Sequence, residues 1–282
     1  MAAISKTHDV QAVWPASATE ATESAGEASA NGVDVVVAMG GDGMVHHVSQ
    51  GLIGSQSALG IIPAGTTNVV ARILGLPSRP VKAARHISRS THIESMGTAE
   101  MILSRGTTET RHHAIFACGF GLDAEVVVRA DADPYRKYRF GSIHYARTAV
   151  GVGLGSFPKR KPHVTVTDGS SQAEATSVLV QFRDIYTYFG RLPLRLGGGP
   201  PDPMTALILG RLRRHRIPQI AFDALSGRDL GAVEGVDIWQ HVDSVSLEAT
   251  PPIAAQADGE SLGVVDAARV TWAPNSLNVI PG

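Results

Sequence analysis

The chain has 282 residues, 43% of them hydrophobic, and 25 Lys and Arg against 26 Asp and Glu give a formal charge of -1. That length and apolar content supply a core for one large domain or two ordinary ones, and the balanced charge excludes nucleic acid as a main partner. A single cysteine, Cys118, excludes a disulfide framework and a cysteine zinc site. No run of eighteen apolar residues is present and residues 1–32 lack the apolar segment of a signal peptide, so the expected location is the cytoplasm.

In chain order, Ile4 to Val13 offers at best a short strand, and Ala18 to Ala30 reads as a polar, alanine-rich helix. The apolar strand from Val33 to Ala38 empties into Gly40-Gly41-Asp42-Gly43 and a helix-like run from Met44 to Ile53. A second strand, Leu59 to Ile62, leads through Pro63-Ala64-Gly65-Thr66-Thr67-Asn68 into a helix at Val69 to Leu74, and Pro80 to Ile87 is a further short helix. Two successive strand, polar loop, helix units build one mononucleotide site along the carboxyl ends of neighbouring parallel strands. From about Thr91 the pattern changes to short strands: 99–103, 113–118, 163–167, 177–182, 205–209, 217–222, 237–241, 244–249 and 268–272, interrupted by a helix over 138–152 that Gly153 and Gly155 end. The expected fold is therefore α/β plus all-β: a Rossmann-like domain over residues 1–90, lacking its first strand, and an antiparallel β-sandwich over 91–282, with 276–280 free to return to the first domain as a closing strand.

Glycines at 40, 41 and 43 let backbone N–H groups approach an anion, and the following helix start adds partial positive charge. Gly65 gives similar access, while Thr66, Thr67 and Asn68 offer neutral hydrogen-bond partners for phosphate or ribose; the plainer alternative is that Thr67 or Asn68 caps the helix at Val69. Neither a Walker lysine loop nor a Gly-x-Gly-x-x-Gly fingerprint is present, and no Gly-x-Ser-x-Gly elbow supports a hydrolase. His46-His47 and His112-His113 are adjacent pairs that point in different directions and form no chelate. Arg211-Leu212-Arg213-Arg214-His215-Arg216 is the densest basic run, either a solvated turn or a contact for anionic headgroups. Phe157, Tyr186, Tyr188 and Phe189 either line an acyl-chain entrance or pack in the core.

The ordered series Gly40-Gly41-Asp42-Gly43, Leu59 to Asn68, Ala71-Arg72, Leu74-Gly75-Leu76-Pro77, Gly119 to Val126, Arg139 to Tyr145 and Gln256-Ala257-Asp258-Gly259-Glu260 resembles the catalytic region of the diacylglycerol kinase and sphingosine kinase family, in its bacterial soluble branch. The resemblance runs from about Ala30 onward. It implies transfer of the γ-phosphoryl group of ATP, with Mg2+, to a lipid hydroxyl at a membrane surface, by a cytoplasmic protein with peripheral membrane contact; a homodimer stays open as its quaternary state. It further implies that Gly41, Asp42 and Gly43 meet the nucleotide phosphates and metal, that Thr66 lines the nucleotide site, and that Asp258 or Glu260 accepts the hydroxyl proton. As a bare motif, Asp258-Gly259-Glu260 also suits a turn between strands. The sequence departs from the family's pattern at Met44 and His47, where Thr and Glu are usual, and has no opening strand with an Asn-Pro-x-Ser-Gly loop. Of the acidic loop that binds a structural magnesium in some members only Asp202 remains. An NAD kinase-like enzyme, which shares Gly-Gly-Asp-Gly, and a catalytically impaired lipid-binding relative are the alternative readings.

Overall fold

The computed structural model describes residues 4–132, 148, 160–189, 192–196, 203–228 and 230–282. The expected helix over 138–152, apart from residue 148, and Asp202 lie outside the described residues. The chain divides into two units, one formed by residues 1–98 with 273–282 and the other by residues 99–272.

The first unit opens with α1 (Ala18–Ala30), begun by Ser17, whose Oγ accepts the Glu20 N–H at 3.1 Å. Ala21 and Ala25 are the residues it buries, an alanine face suited to close packing on the next helix. β1 (Val35–Gly40) is the first strand among the described residues; residues 4–13 form turns and coil, so the weak strand expected from Ile4 to Val13 is absent. Then come α2 (Asp42–Gln50), β2 (Ala58–Pro63), α3 (Val69–Ile73) and α4 (Pro80–Ile87). β1 and β2 are parallel, in register from Val35 opposite Ala58 to Gly40 opposite Pro63. A third parallel neighbour comes from far along the chain, where Asn278 and Val279 pair with Ala58 and Leu59. Ala58, Ile62, Ala84, Ile87 and Ile280 form the core of this small sheet and its covering helix.

The second unit is dominated by strands. β3 (Glu94–Arg105) enters it and pairs antiparallel with β4 (Thr108–Ala114), followed by β5 (Ala117–Phe120), α5 (Leu122–Asp131), β6 (Val164–Thr167), β7 (Gln172–Ala175) and β8 (Ser177–Gln181). After the short hairpin of β9 (Thr187–Phe189) and β10 (Leu192–Leu194) come β11 (Met204–Leu209), α6 (Ile217–Ser226), β12 (Val236–Val242), β13 (Ser244–Ala257) and β14 (Glu260–Val279). β13 is the branch point of the sandwich. Its first half, Ser246 to Ala249, pairs with β6, its second half, Ala255 to Ala257, pairs with β5, and the ladder to β14 shifts register between Glu248 and Ile253, around Pro251 and Pro252. Pro cannot donate to a ladder, so the pairing with β14 is interrupted there. Met101, Phe120, Val180, Met204, Ile208 and Leu247 are among the residues that fill the core.

Three expectations need correction. Residues 217–222 are helical, not a strand: Pro218 sits in the first turn, where a missing N–H costs nothing, Ile217, Ile220 and Ala224 recur at helical spacing, and Gly227 at φ +69° ends the helix. Residues 113–118 are not one strand but the end of β4 and the start of β5, because the N–H groups of Ile115 and Phe116 go to a side chain instead of a ladder. The first unit ends at Thr98, beyond residue 90, since β3 begins within it.

Candidate functional site

In the first unit, the loops after β1 and β2 lie side by side at the carboxyl ends of two parallel strands. The Ala64 N–H donates to the Gly40 carbonyl at 2.8 Å, and the backbones come so close that a Cβ on Gly65 would stand 2.5 Å from the Gly41 Cα. Only glycine fits at 65. The Asn68 side chain closes the second loop on itself: its Oδ1 accepts the Gly65 N–H at 2.9 Å and its Nδ2 donates to the Gly65 carbonyl at 2.8 Å. Asn68, at φ +50°, is therefore the residue before α3 without capping it by side chain, which corrects the plainer reading of this loop. Gly65 and Thr66 are exposed, and Thr67 is half-buried.

Asp42 is the first residue of α2, and its Oδ1 accepts the Val70 N–H from α3 at 3.3 Å. Gly41 precedes the helix with no side-chain cap, so the first N–H groups of α2 keep the orientation that suits an anion. Among the described residues no three His, Cys, Asp or Glu side chains gather as a metal cage. Asp42 fits the Mg2+ of a nucleotide complex, where one or two carboxylates and the phosphate oxygens share the ion.

In the second unit, Asp258 and Gly259 form the two-residue turn between β13 and β14, at φ +54° and +84°, the left-handed pair a tight hairpin demands. Asp258 is 3% exposed. Its Oδ2 accepts the Ile115 N–H at 2.8 Å, and its Oδ1 accepts those of Ile115 and Phe116 at 3.0 Å and, longer, of Ala117 at 3.4 Å. This carboxylate is the side chain that divides β4 from β5. Arg183 donates its Nε to the Ile115 carbonyl at 3.3 Å and lies over the rings of Phe182 and Trp272; burial lowers its pKa to about 10, opposed by the charge of Asp258. Glu260, two residues on, is half-buried.

Sequence reasoning missed a second buried carboxylate as a site residue. Asp123, on the first turn of α5, is placed by Gly121 at φ +91° and by Ser177, whose Oγ accepts the Leu122 N–H at 2.7 Å. Its Oδ2 accepts the Tyr186 O–H and the Gln256 Nε2–H, the latter at 2.7 Å. The signal was in the text: Gly119-Phe120-Gly121-Leu122-Asp123 carries a glycine where a Cβ would overlap this carboxylate.

Residues 2–101 match the family model described as the diacylglycerol kinase catalytic domain. The likeness to the diacylglycerol kinase catalytic domain lies in those residues, about a third of the chain. A diacylglycerol kinase of Mycobacterium tuberculosis is 33% identical over 186 residues, 65% of this chain and 57% of that protein, so the match spans little more than half of that relative's length. A probable lipid kinase, YegS-like, of Pseudomonas putida is 26% identical over 267 residues, 90% of this chain and 79% of that protein. The crystal structure of a diacylglycerol kinase from Bacillus anthracis shares the fold, at a TM-score of 0.68 and 18% identity, covering 100% of this chain and 89% of that one.

Within the diacylglycerol kinase pattern, the two departures after Gly43 take defined places. Met44 packs on Gly40, where an added Cβ would stand 2.6 Å from the Met44 Cβ. His47 meets His46 edge-to-face at 5.3 Å between ring centroids, and burial, then the neighbouring His46, lower its pKa, so it is neutral at pH 7. His112 and His113 occupy successive ladder positions opposite Met101 and Glu100, without a shared metal geometry. Of the aromatic residues considered for an acyl entrance, Tyr186 belongs to the Asp123 cluster and Tyr188 lies in the β9–β10 hairpin opposite Pro193. Phe157 and the Phe189 side chain lie outside the described residues.

Proposed function

We propose that this chain is an ATP-dependent lipid kinase, transferring the γ-phosphoryl group to a lipid hydroxyl of the diacylglycerol or sphingoid type. The observation that carries the reading is the pair of loops, 40–43 and 64–68, packed backbone to backbone beside the start of α2 at the carboxyl ends of β1 and β2. Such a surface offers N–H donors to a polyphosphate without side chains in the way. In this reading the N–H groups of Gly41 and Gly43 receive phosphate oxygens, Gly40 and Gly65 keep the loops close, Thr66 and Thr67 present hydroxyls, Asn68 holds their loop, and Asp42 shares Mg2+ with the phosphates. Bound Mg2+ neutralises charge on the phosphate chain, and the chain's own residues position it.

The two carboxylates of the hairpin divide the remaining work. Asp258 is 3% exposed with its lone pairs committed to N–H groups of the β4–β5 break, whereas Glu260 is half-buried; Glu260 is assigned as acceptor of the lipid hydroxyl proton. Asp202 is retained as a second metal candidate on sequence grounds. The substrate's membrane is met peripherally: Arg211, Arg213 and His215 are exposed beside α6, whose Phe222 is 56% exposed, a basic and apolar combination suited to anionic headgroups.

The test is labelled phosphate transfer from ATP to a panel of diacylglycerol, sphingosine and ceramide. Wild type is expected to label at least one lipid, and Asp42→Ala to abolish transfer with an unchanged circular dichroism spectrum; equal activity in both removes the mechanism. Met44 and His47, which bring no hydroxyl and no anion to the phosphate loop, favour a second reading, a lipid-binding relative without catalysis. That reading predicts no heat of ATP binding with magnesium present while liposomes still bind.

A further inference from the structure

The cluster around Asp123 is not used by the chemistry above, yet it is joined to the turn that carries Glu260. Gly119 stands opposite Gln256 in the β5–β13 ladder, and the space left by its missing side chain is taken by the Asp123 carboxylate. Gln256 spans the gap. Its Nε2 donates to Asp123 at 2.7 Å and lies 3.2 Å from the Tyr186 Oη, while its Oε1 accepts the Gly259 N–H at 2.8 Å. Gly259 N–H can only donate and a carboxylate can only accept, so one orientation of the amide satisfies both ends. The state of Asp123 is thereby read at the hairpin through one side chain.

We propose that Asp123 is a positioning residue for the hairpin 257–260, acting through the Gln256 amide to hold Glu260 in place for the hydroxyl proton. The proposal rests on the kinase reading. Two donors reach Oδ2, but Oδ1 is buried and finds no donor among the described residues. An anion with a bare oxygen is costly there. Burial accordingly pushes the Asp123 carboxyl up to about 6, against the Tyr186, Gln256 and Ala124 backbone N–H interactions that favour its ionised form.

The groups facing Asp123 leave the titration to it. Cys118 on β5 and the Tyr186 phenol are both driven well upward by burial, with Asp123 itself adding to each, so both stay neutral. Asp258 shares the neighbourhood of Cys118, and Ser177–Gln181 on β8 bring no ionisable side chain. On α5 itself, Glu125 is engaged by Arg160, with one oxygen at 2.8 Å from Nη2, and Arg129 stands 4.0 Å from the same Glu125. A protonated Asp123 can turn its new O–H toward Gln256, which removes the single preferred amide orientation and loosens the turn.

The test is the pH dependence of phosphate transfer together with hydrogen exchange. Wild-type kcat is expected to fall below about pH 6, Asp123→Asn to lose this limb and to lower kcat at pH 7.5 by about ten- to a hundredfold with KM for ATP unchanged, and Tyr186→Phe to move the limb to higher pH because one donor to the anion is gone. A wild-type rate flat from pH 5 to 8, or a limb that neither substitution moves, overturns the proposal. Amide exchange decides it independently of activity: at pH 7.5 Gly259 is expected to exchange faster in Asp123→Asn than in wild type, and equal rates overturn the relay. Absence of transfer to any lipid by wild type would instead fail the kinase reading, leaving the exchange arm to judge the relay.

Discussion

Replacing Asp258 by Asn separates a structural carboxylate from a chemical one. The backbone of the turn survives, since Asn adopts a left-handed φ as readily as Asp, and the change falls on hydrogen bonds. At Oδ2, where Ile115 donates at 2.8 Å, an amide NH2 would face another donor, for a cost of about 1–3 kcal/mol. At Oδ1 the bonds from Ile115 and Phe116, both 3.0 Å, weaken from charge-assisted to neutral, together about 1–2 kcal/mol. Arg183 also loses the anion that offsets its burial, so the total loss is about 3–5 kcal/mol. Urea unfolding followed by tryptophan fluorescence measures it, with Trp272 against Arg183 as a local reporter. Glu260→Gln, measured beside it, is expected to keep the wild-type unfolding midpoint and to lose phosphate transfer. An Asp258→Asn protein with full stability and no transfer would refute the division of roles and make Asp258 the base.

Gly65→Ala, which sets a methyl 2.5 Å from the Gly41 Cα, is expected to cost about 1–3 kcal/mol and to weaken ATP binding by calorimetry; Gly26→Ala within α1, where the new Cβ comes no nearer than 3.6 Å to the Gly51 carbonyl, is expected to gain about 0.5–1 kcal/mol. The raised carboxyl of Asp123 binds a proton in the folded state that the unfolded chain has released, so its contribution to stability is full below about pH 3.8 and is lost as pH rises through about 6; Asp123→Asn is expected to flatten this slope in urea midpoints measured from pH 4 to 7.5. Arg211→Glu with Arg213→Glu is expected to lower binding to vesicles containing anionic lipid at least about tenfold and leave neutral vesicles unaffected, read by sedimentation.

The nucleotide half was legible because glycine spacing, strand pattern and local loops all lie within sixty residues of one another: Val33 to Leu74 forms two strand and helix units in the order read. The strand at 217–222 was misread because Ile217, Ile220 and Phe222 give a short apolar run equally compatible with either period, and only Pro218 and Gly227 distinguish them. Asp258 was recognised by its motif but not by its role, since its partners Ile115 and Phe116 lie some 140 residues earlier. The Asp123, Tyr186 and Gln256 cluster escaped for the same reason: each residue was noted in its own segment for another reason, and the contact that unites them spans 133 positions between Asp123 and Gln256.

β14 has a consequence for how the chain is made. Its Glu260 end pairs within the second unit, whereas Asn278 and Val279 supply a parallel neighbour to β2, and the Ile280 N–H then bonds the Leu59 carbonyl at 3.1 Å. A nascent polypeptide that has emerged only as far as α4 thus holds two of these strands with β2 unpaired on one side, an open flank that invites chaperones or foreign strands. Completion waits for some two hundred further residues to be translated, so the sheet of the first unit cannot close before the strands of the second have been made.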